Sequence, residues 1–134
     1  MIRLHRTENV RAILALDAKI FPTDDPVDVW DKRAVWWIAP GAAYCGIRPT
    51  AREGLAFLLR AGVVEAYRGQ GLQRRMIRTR LRWARTAGFV EVCTYTIPTN
   101  PWSSNNLIAC GFRLYDPPHR WAGEDTNYWV RKVA

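Results

Sequence analysis

The segment Val63-Val64-Glu65-Ala66-Tyr67-Arg68-Gly69-Gln70-Gly71-Leu72-Gln73-Arg74-Arg75-Met76-Ile77 constrains this chain more than any other. An apolar run ends, a glycine-rich turn follows, and a helical pattern studded with arginine begins at once. Strand, turn and helix in that order place several backbone N–H groups at the positive end of a helix dipole. Such a corner binds phosphate without any catalytic side chain. The fold must therefore supply a sheet for the strand and helices to cover it.

The rest of the pattern meets that demand. Ile2–Leu4 reads as a first strand, and Thr7 as the N-cap of a helix with Val10, Ile13, Leu14 and Ile20 on its apolar face. A loop at Phe21–Pro26 precedes a short helix expected over Val27–Lys32. Ala34–Ala39 and Ala43–Ile47 read as strands joined by the Pro40-Gly41 turn. Leu55–Val64 reads as one long strand, in which Gly62 signals a bulge or a close backbone approach. The helix after the glycine turn runs to about Ala87, with Leu72, Met76, Ile77, Leu81 and Ala84 inward and Arg74, Arg78, Arg82 and Arg85 outward. Phe89–Ile97 is a strand, Ser103–Cys110 a helix ended by Gly111, and Phe112–Tyr115 and Thr126–Val133 are two final strands.

With 134 residues, 49% of them hydrophobic, the pattern fits one domain over 1–134 and leaves little room for disorder. No apolar run reaches the roughly 18 residues of a membrane span, and the N-terminus lacks the apolar core of a signal peptide, so a soluble, cytoplasmic protein is expected. Cys45, Cys93 and Cys110 are odd in number and unpaired in spacing, which argues against a disulfide framework or a metal site; Cys45 and Cys93 read as small buried hydrophobes. The net charge of +8, almost all arginine, points to an anionic ligand or partner without choosing among a cofactor's phosphates, a nucleic acid and an acidic protein.

The turn residues narrow the phosphate ligand. A P-loop needs Lys-Ser or Lys-Thr after its last glycine, where this chain has Leu72-Gln73. A dinucleotide fingerprint needs a third glycine where Arg74 stands, and an arginine obstructs close helix–strand packing. Glu91 does fall 20 residues beyond Gly71, as a ribose-binding acid would, but too little sequence follows for the second half of such a fold.

Arg68-Gly69-Gln70-Gly71-Leu72-Gln73 resembles the pyrophosphate loop of the GCN5-related N-acetyltransferases: Gln or Arg, two residues, Gly, one residue, then Gly or Ala. Gln73 departs from the final small residue. A second motif of that family is an Asn, then Ala or Ser three residues on, and a helix ending in Gly-Phe; it is matched by Asn100, Ser103 and Gly111-Phe112. The resemblance implies a single α/β (α+β) domain. Its mixed sheet of six to seven strands, flanked by about four helices, has its fourth and fifth strands splayed apart, here Leu55–Val64 and Phe89–Ile97. It implies acetyl-coenzyme A as co-substrate and no metal. The loop backbone of Gly69, Gln70, Gly71, Leu72, Gln73 and Arg74, with Arg68, would hold the pyrophosphate. Val63 and Val64 would pair with the pantetheine arm, a strand N–H near Val63 would polarise the acetyl carbonyl, and Asn100 and Ser103 belong to the second cofactor motif.

The family's usual general acid is a tyrosine seven residues after the motif asparagine, and Leu107 occupies that position. A thiol of pKa about 8.5 leaves as thiolate at pH 7 for roughly 2 kcal/mol, so the loss is tolerable. Tyr95, Tyr115 or a water are the substitutes; both tyrosines also read as packing residues. Glu65 is a carboxylate near the turn, read either as a base or as a solvated or arginine-paired residue. Asp24, Asp25 and His119 lie on loops expected to border the acceptor. Seven tryptophans suggest either a bulky core or an aromatic acceptor groove, and the adjacent Trp36 and Trp37 must face opposite ways, at most one of them into the core and the other toward a helix layer or a ligand. Three functional classes remain open: acetyl transfer to a small-molecule or protein amine, acetyl transfer to nucleic acid, and a non-catalytic coenzyme A binder. A homodimer is compatible with each.

Overall fold

In the computed structural model, which describes residues 2–134, the alternating residues around Pro40-Gly41 form a hairpin of β2 (Val35–Ala39) and β3 (Ala43–Pro49). The sheet grows from it. On one side β1 (His5–Thr7) pairs with β2; on the other β4 (Leu55–Leu58) pairs with β3. Next come β6 (Glu91–Thr96), parallel to β4, then β8 (Asn127–Lys132) and β7 (Arg113–Tyr115). The order is β1-β2-β3-β4-β6-β8-β7, with β5 (Gly62–Val63) paired to β3. The helices are α1 (Val10–Ile20), α2 (Leu72–Thr86) and α3 (Pro101–Ala109), and a single 3-10 turn covers Glu65–Tyr67. None of them is long and apolar enough to cross a membrane.

This is the expected mixed α+β architecture, with eight strands rather than six to seven and three α-helices rather than about four. One difference is the helix expected at Val27–Lys32, which does not form. The Val27 N–H donates to the Asp17 carboxylate at 2.9 Å, and the carboxylates of Asp28 and Asp31 accept from the N–H groups of Trp30 and Arg33. These local side-chain bonds compete with helical ones. The other difference is the strand expected over Leu55–Val64, which is two. Ile47 faces Leu58 and Tyr44 faces Gly62, so three steps along β3 are matched by four on its partner. Leu59 N–H still bonds Gly46 C=O at 3.0 Å, which leaves Arg60 and Ala61 together opposite Cys45 as a β-bulge. Gly62 follows because a Cβ there would sit 2.8 Å from the Tyr44 ring and 2.9 Å from Ile20.

Smaller corrections lie at the N-terminus. The first strand is His5–Thr7, not Ile2–Leu4, whose apolar side chains pack against the core instead. Asn9, not Thr7, caps α1, its side chain accepting from Ala12 N–H at 3.1 Å while Thr7 accepts from Asn9 N–H. Trp36 and Trp37 face opposite ways as expected, one into the larger core and the other against a helix layer, and both are buried because helices or loops cover each face of the sheet. Trp37 packs with the inner faces of α2 and α3; Trp36 packs under α1. The second face is covered by α1, by the segment after it, whose Val27 is buried with Ile13, Trp36 and Tyr44, and by Trp121, packed edge-on to Phe57 and Tyr95.

Candidate active site

Parallel pairing of β4 with β6 stops at Phe57–Cys93. Thereafter β6 runs on to Thr96, while its neighbour turns through the bulge toward β3. The last link across the opening is Thr94 Oγ1 donating to Leu58 C=O at 3.2 Å. The opening is a cavity of about 490 Å3 that reaches both faces of the sheet. Its helix side is lined by Gln73, Ile77, Arg80, Asn100, Ser103, Asn106 and Leu107, and its other side by Phe21, Val27, Asp28, Arg48, Phe57 and Tyr95.

The N-terminus of α2 stands beside the helix-side entrance. Gly69 and Gly71 take φ of +78° and +76°, a region glycine enters without strain. Gly71 is the N-cap and offers no side chain, no acidic residue occupies the first turn, and the first backbone bond is Arg75 N–H to Gly71 C=O at 3.1 Å. The N–H groups of Leu72, Gln73 and Arg74 therefore have no backbone acceptor at the positive end of a 15-residue helix. A Cβ on Gly69 or Gly71 would meet nothing within 4 Å, so the space beside the loop is open for a ligand. These features fit a pyrophosphate. Arg68 turns back to donate to Val63 C=O at 3.2 Å, and Arg74 donates to the Asn106 side chain at 3.0 Å. Asn100 caps α3 by accepting from Ser103 N–H at 3.2 Å, which accounts structurally for that pair, and both line the cavity.

Val63 and Val64 are not equivalent. Val64 N–H donates to Ala42 C=O at 2.8 Å and so belongs to the sheet. The alternation of an antiparallel ladder turns the N–H of Val63 away from β3. At the bulge, the N–H groups of Arg60 and Ala61 make no backbone hydrogen bond. Of the residues named for proton transfer, only Tyr95 lines the cavity, its ring stacked on Phe57 at 6.1 Å. Tyr115 lies on β7, edge-on to Tyr128, its hydroxyl pKa raised by burial; Glu65 is exposed in the 3-10 turn; neither lines the cavity. Leu107 is buried and does line it. Trp121 stands edge-on to both Phe57 (5.3 Å) and Tyr95 (5.4 Å), giving the mouth an aromatic wall. Burial pushes the Cys45 and Cys93 thiols up to about 11.

Two groups central to this region were missed from sequence. Asp17, 2% exposed, accepts from Val27 N–H, the Tyr44 hydroxyl and Arg60 Nη1 (3.0 Å). Arg60 also donates to Asp25 C=O and lies over the Phe21 ring, so this network ties α1 and its following loop to the bulge. Arg80, 3% exposed, reaches from α2 under the bulge. Both signals were present in the spacing: Asp17 falls on the stripe of Ile13, Leu16 and Ile20, and Arg80 on that of Met76, Ile77, Leu81 and Ala84.

Residues 22–112 match the sequence profile of the Acetyltransferase (GNAT) family. The chain belongs to the GNAT acetyltransferase family. No curated protein sequence matches it. Solved structures share its fold. The IAA acetyltransferase from Bacillus cereus is 13% identical, with a TM-score of 0.77 over 97% of this chain and 98% of the other. The ribosomal-protein-S18-alanine N-acetyltransferase from Escherichia coli is 15% identical, with a TM-score of 0.78 over 100% of this chain and 95% of the other. A Bacillus subtilis acetyltransferase in complex with CoA is 16% identical, with a TM-score of 0.76 over 98% of this chain and 99% of the other. GNAT membership makes general acetyl transfer, with a CoA-type donor, the chemistry of this fold.

Proposed function

We propose that this GNAT protein transfers an acetyl group from acetyl-CoA to the amine of a small molecule or protein by direct attack inside the sheet. The observation that carries this reading is the single cavity joining the α2 N-terminus on one face to the aromatic mouth on the other. Donor and acceptor can then meet end to end, and much of the rate comes from that positioning. Acetyl-CoA supplies the activated acyl group and a thiolate leaving group. The orphan N–H groups of Leu72, Gln73 and Arg74 hold the pyrophosphate, and the outward N–H of Val63 pairs with the pantetheine arm. The unbonded N–H groups at the Arg60–Ala61 bulge are placed to donate to the acetyl oxygen as it gains charge. The amine enters past Phe57, Tyr95 and Trp121, with Asp28 as an anionic neighbour for its cationic form.

A nucleic-acid acceptor fits less well. The exposed Arg78, Arg82 and Arg85 lie on the outer face of α2, on the opposite side of the sheet from this mouth.

Two measurements test the proposal. Acetyl-CoA at about 100 times its Kd should stabilise the fold by about 2.7 kcal/mol, raising Tm by several degrees, with no effect of NAD or ATP. Turnover against amines, peptides and tRNA should then find an amine or peptide acceptor. No Tm shift with acetyl-CoA would overturn the donor assignment, and turnover of tRNA alone the acceptor assignment.

A further inference from the structure

The charge balance of the cavity contains one group that the family motifs do not account for. Arg80 is buried in the wall of the gap, in the segment where β4 and β6 part. Its Nε donates to Met76 C=O at 3.1 Å, and its Nη1 donates to both Gly46 C=O (3.1 Å) and Leu59 C=O (3.2 Å). Those bonds fix the guanidinium against the residue that opens the bulge. Nη2 donates to no protein acceptor among the described residues, yet no fully buried side-chain nitrogen there lacks a partner, so Nη2 meets the cavity rather than packed atoms. No carboxylate among the described residues pairs with Arg80. Burial lowers its own pKa, and the ionisable groups that act on its charge are the thiols of Cys45 on β3 and Cys110 after α3. A guanidinium remains charged in such a place. A buried, hydrogen-bonded cation with no counter-ion is costly, and an anion arriving beside it relieves the cost.

We infer that Arg80 is the group that stabilises the coenzyme A thiolate as it leaves, in place of the tyrosine acid that Leu107 replaces. This inference rests on the acetyl-transfer reading above and names a role within that same site. The acceptor nitrogen forms its bond to the acetyl carbon, the C–S bond breaks, and its electron pair remains on sulfur. The proton lost by the amine goes to water. Arg80 gives up no proton: Nη2–H donates a charge-assisted hydrogen bond to the sulfur, so thiolate rather than thiol is the form released into the gap. Leu107 contributes by excluding water from one side of that bond. A positive charge held in a low-dielectric site is worth far more to a developing anion than one in solvent.

The test is the titration of the thiol of bound CoA, followed by the ultraviolet absorbance of the thiolate, in wild type, Arg80→Met and Arg80→Lys. The other ionisable groups lining the cavity are Asp28, Arg48, Arg60 and Tyr95; Arg60 is held by Asp17, so Arg48→Gln serves as the control. In wild type the thiol should titrate at least one unit below its ordinary value, that of free CoA in the same buffer. In Arg80→Met it should rise to or above that value, because burial alone disfavours a thiolate. Arg80→Lys should restore most of the depression, and the control should leave it in place. The kcat of Arg80→Met should fall on the order of 100-fold, with KM for acetyl-CoA changed by less than about threefold. A role confined to supporting the bulge would alter stability and KM and leave the thiol titration unmoved. A wild-type thiol titrating at or above its ordinary value overturns the inference without any variant, even if Arg80→Met fails to fold. Absence of CoA binding by calorimetry would instead overturn the acetyl-transfer reading itself.

Discussion

Asp17 is the one carboxylate buried among the described residues, and it serves three donors at once. Removing one partner of a buried pair costs far more than the pair's net worth, because the other charge stays behind. Asp17→Ala strands the Val27 N–H, the Tyr44 hydroxyl and the Arg60 guanidinium together. The urea midpoint should fall by the equivalent of about 3–5 kcal/mol, while Arg33→Ala, in an exposed pair with Asp31, should leave it unchanged. The cysteines give a pH-dependent counterpart. Burial raises Cys45 and Cys93 from an ordinary 9.0 to about 11. Below pH 9 both states keep the thiols neutral and their contribution to stability is fully present. As pH rises from 9 to 11 the unfolded chain ionises first, and that contribution is lost. Alkylation of the folded protein at pH 8 should accordingly be negligible, and stability should decline through the 9–11 window. Rapid labelling of Cys45 or Cys93 without unfolding would contradict this burial.

At the scale of elements, two glycines separate folding from binding. A Cβ on Gly46 would stand 2.5 Å from the Trp36 ring, inside the sheet's tightest contact with its own core. Gly46→Ala should lower Tm sharply, by an overpacking cost of about 1–3 kcal/mol. Gly71 has open space around it and a φ of +76°, so Gly71→Ala costs the fold only the left-handed strain of about 1–2 kcal/mol. Its Cβ would project into the open space where the proposed site puts the pyrophosphate, so acetyl-CoA affinity should drop at least tenfold in calorimetry; unchanged affinity would remove the loop from the donor site. The same contrast explains what could be read from the sequence. The turn, the inner face of α2 and the Asn100 cap are local patterns, visible at helical spacing and within a few residues. The bulge is not local. It exists because β4 and β5 pair with β3 in registers one residue apart, and nothing within Leu55–Val64 encodes that offset. The helix expected at Val27–Lys32 was lost to a carboxylate ten residues upstream. Arg80 and Asp17 are polar residues on apolar stripes, but among so many arginines nothing in the local sequence sets the first apart from its exposed neighbours.

At the scale of the whole molecule, the proposed reaction puts donor and acceptor on opposite faces of the sheet, joined through the gap. A covalent acetyl-enzyme would need a nucleophile there. Cys45 and Cys93 lie outside its lining and are held protonated by burial; of the lining hydroxyls beside Ser103, that of Thr94 is donated to Leu58 C=O, and that of Thr96 contacts Ser104 and accepts from the Trp129 indole. Neither histidine lines the cavity, so no side chain of the kind that activates a serine or cysteine stands beside these groups. Transfer should therefore require both substrates at once. Initial rates measured at several acceptor concentrations should give intersecting double-reciprocal lines in acetyl-CoA, and protein incubated with acetyl-CoA alone should show no added acetyl mass. Parallel lines together with a trapped acetyl-enzyme would mean that one of these hydroxyls or thiols is released from its partner in solution. The two faces would then act in sequence rather than together. Trp121→Ala separates the faces in the same assay: it strips the acceptor wall on one side of the sheet and leaves the α2 N-terminus on the other. It should raise KM for the acceptor about tenfold and leave KM for acetyl-CoA within about twofold, since removing a contact to one substrate alone withdraws binding without altering the other site.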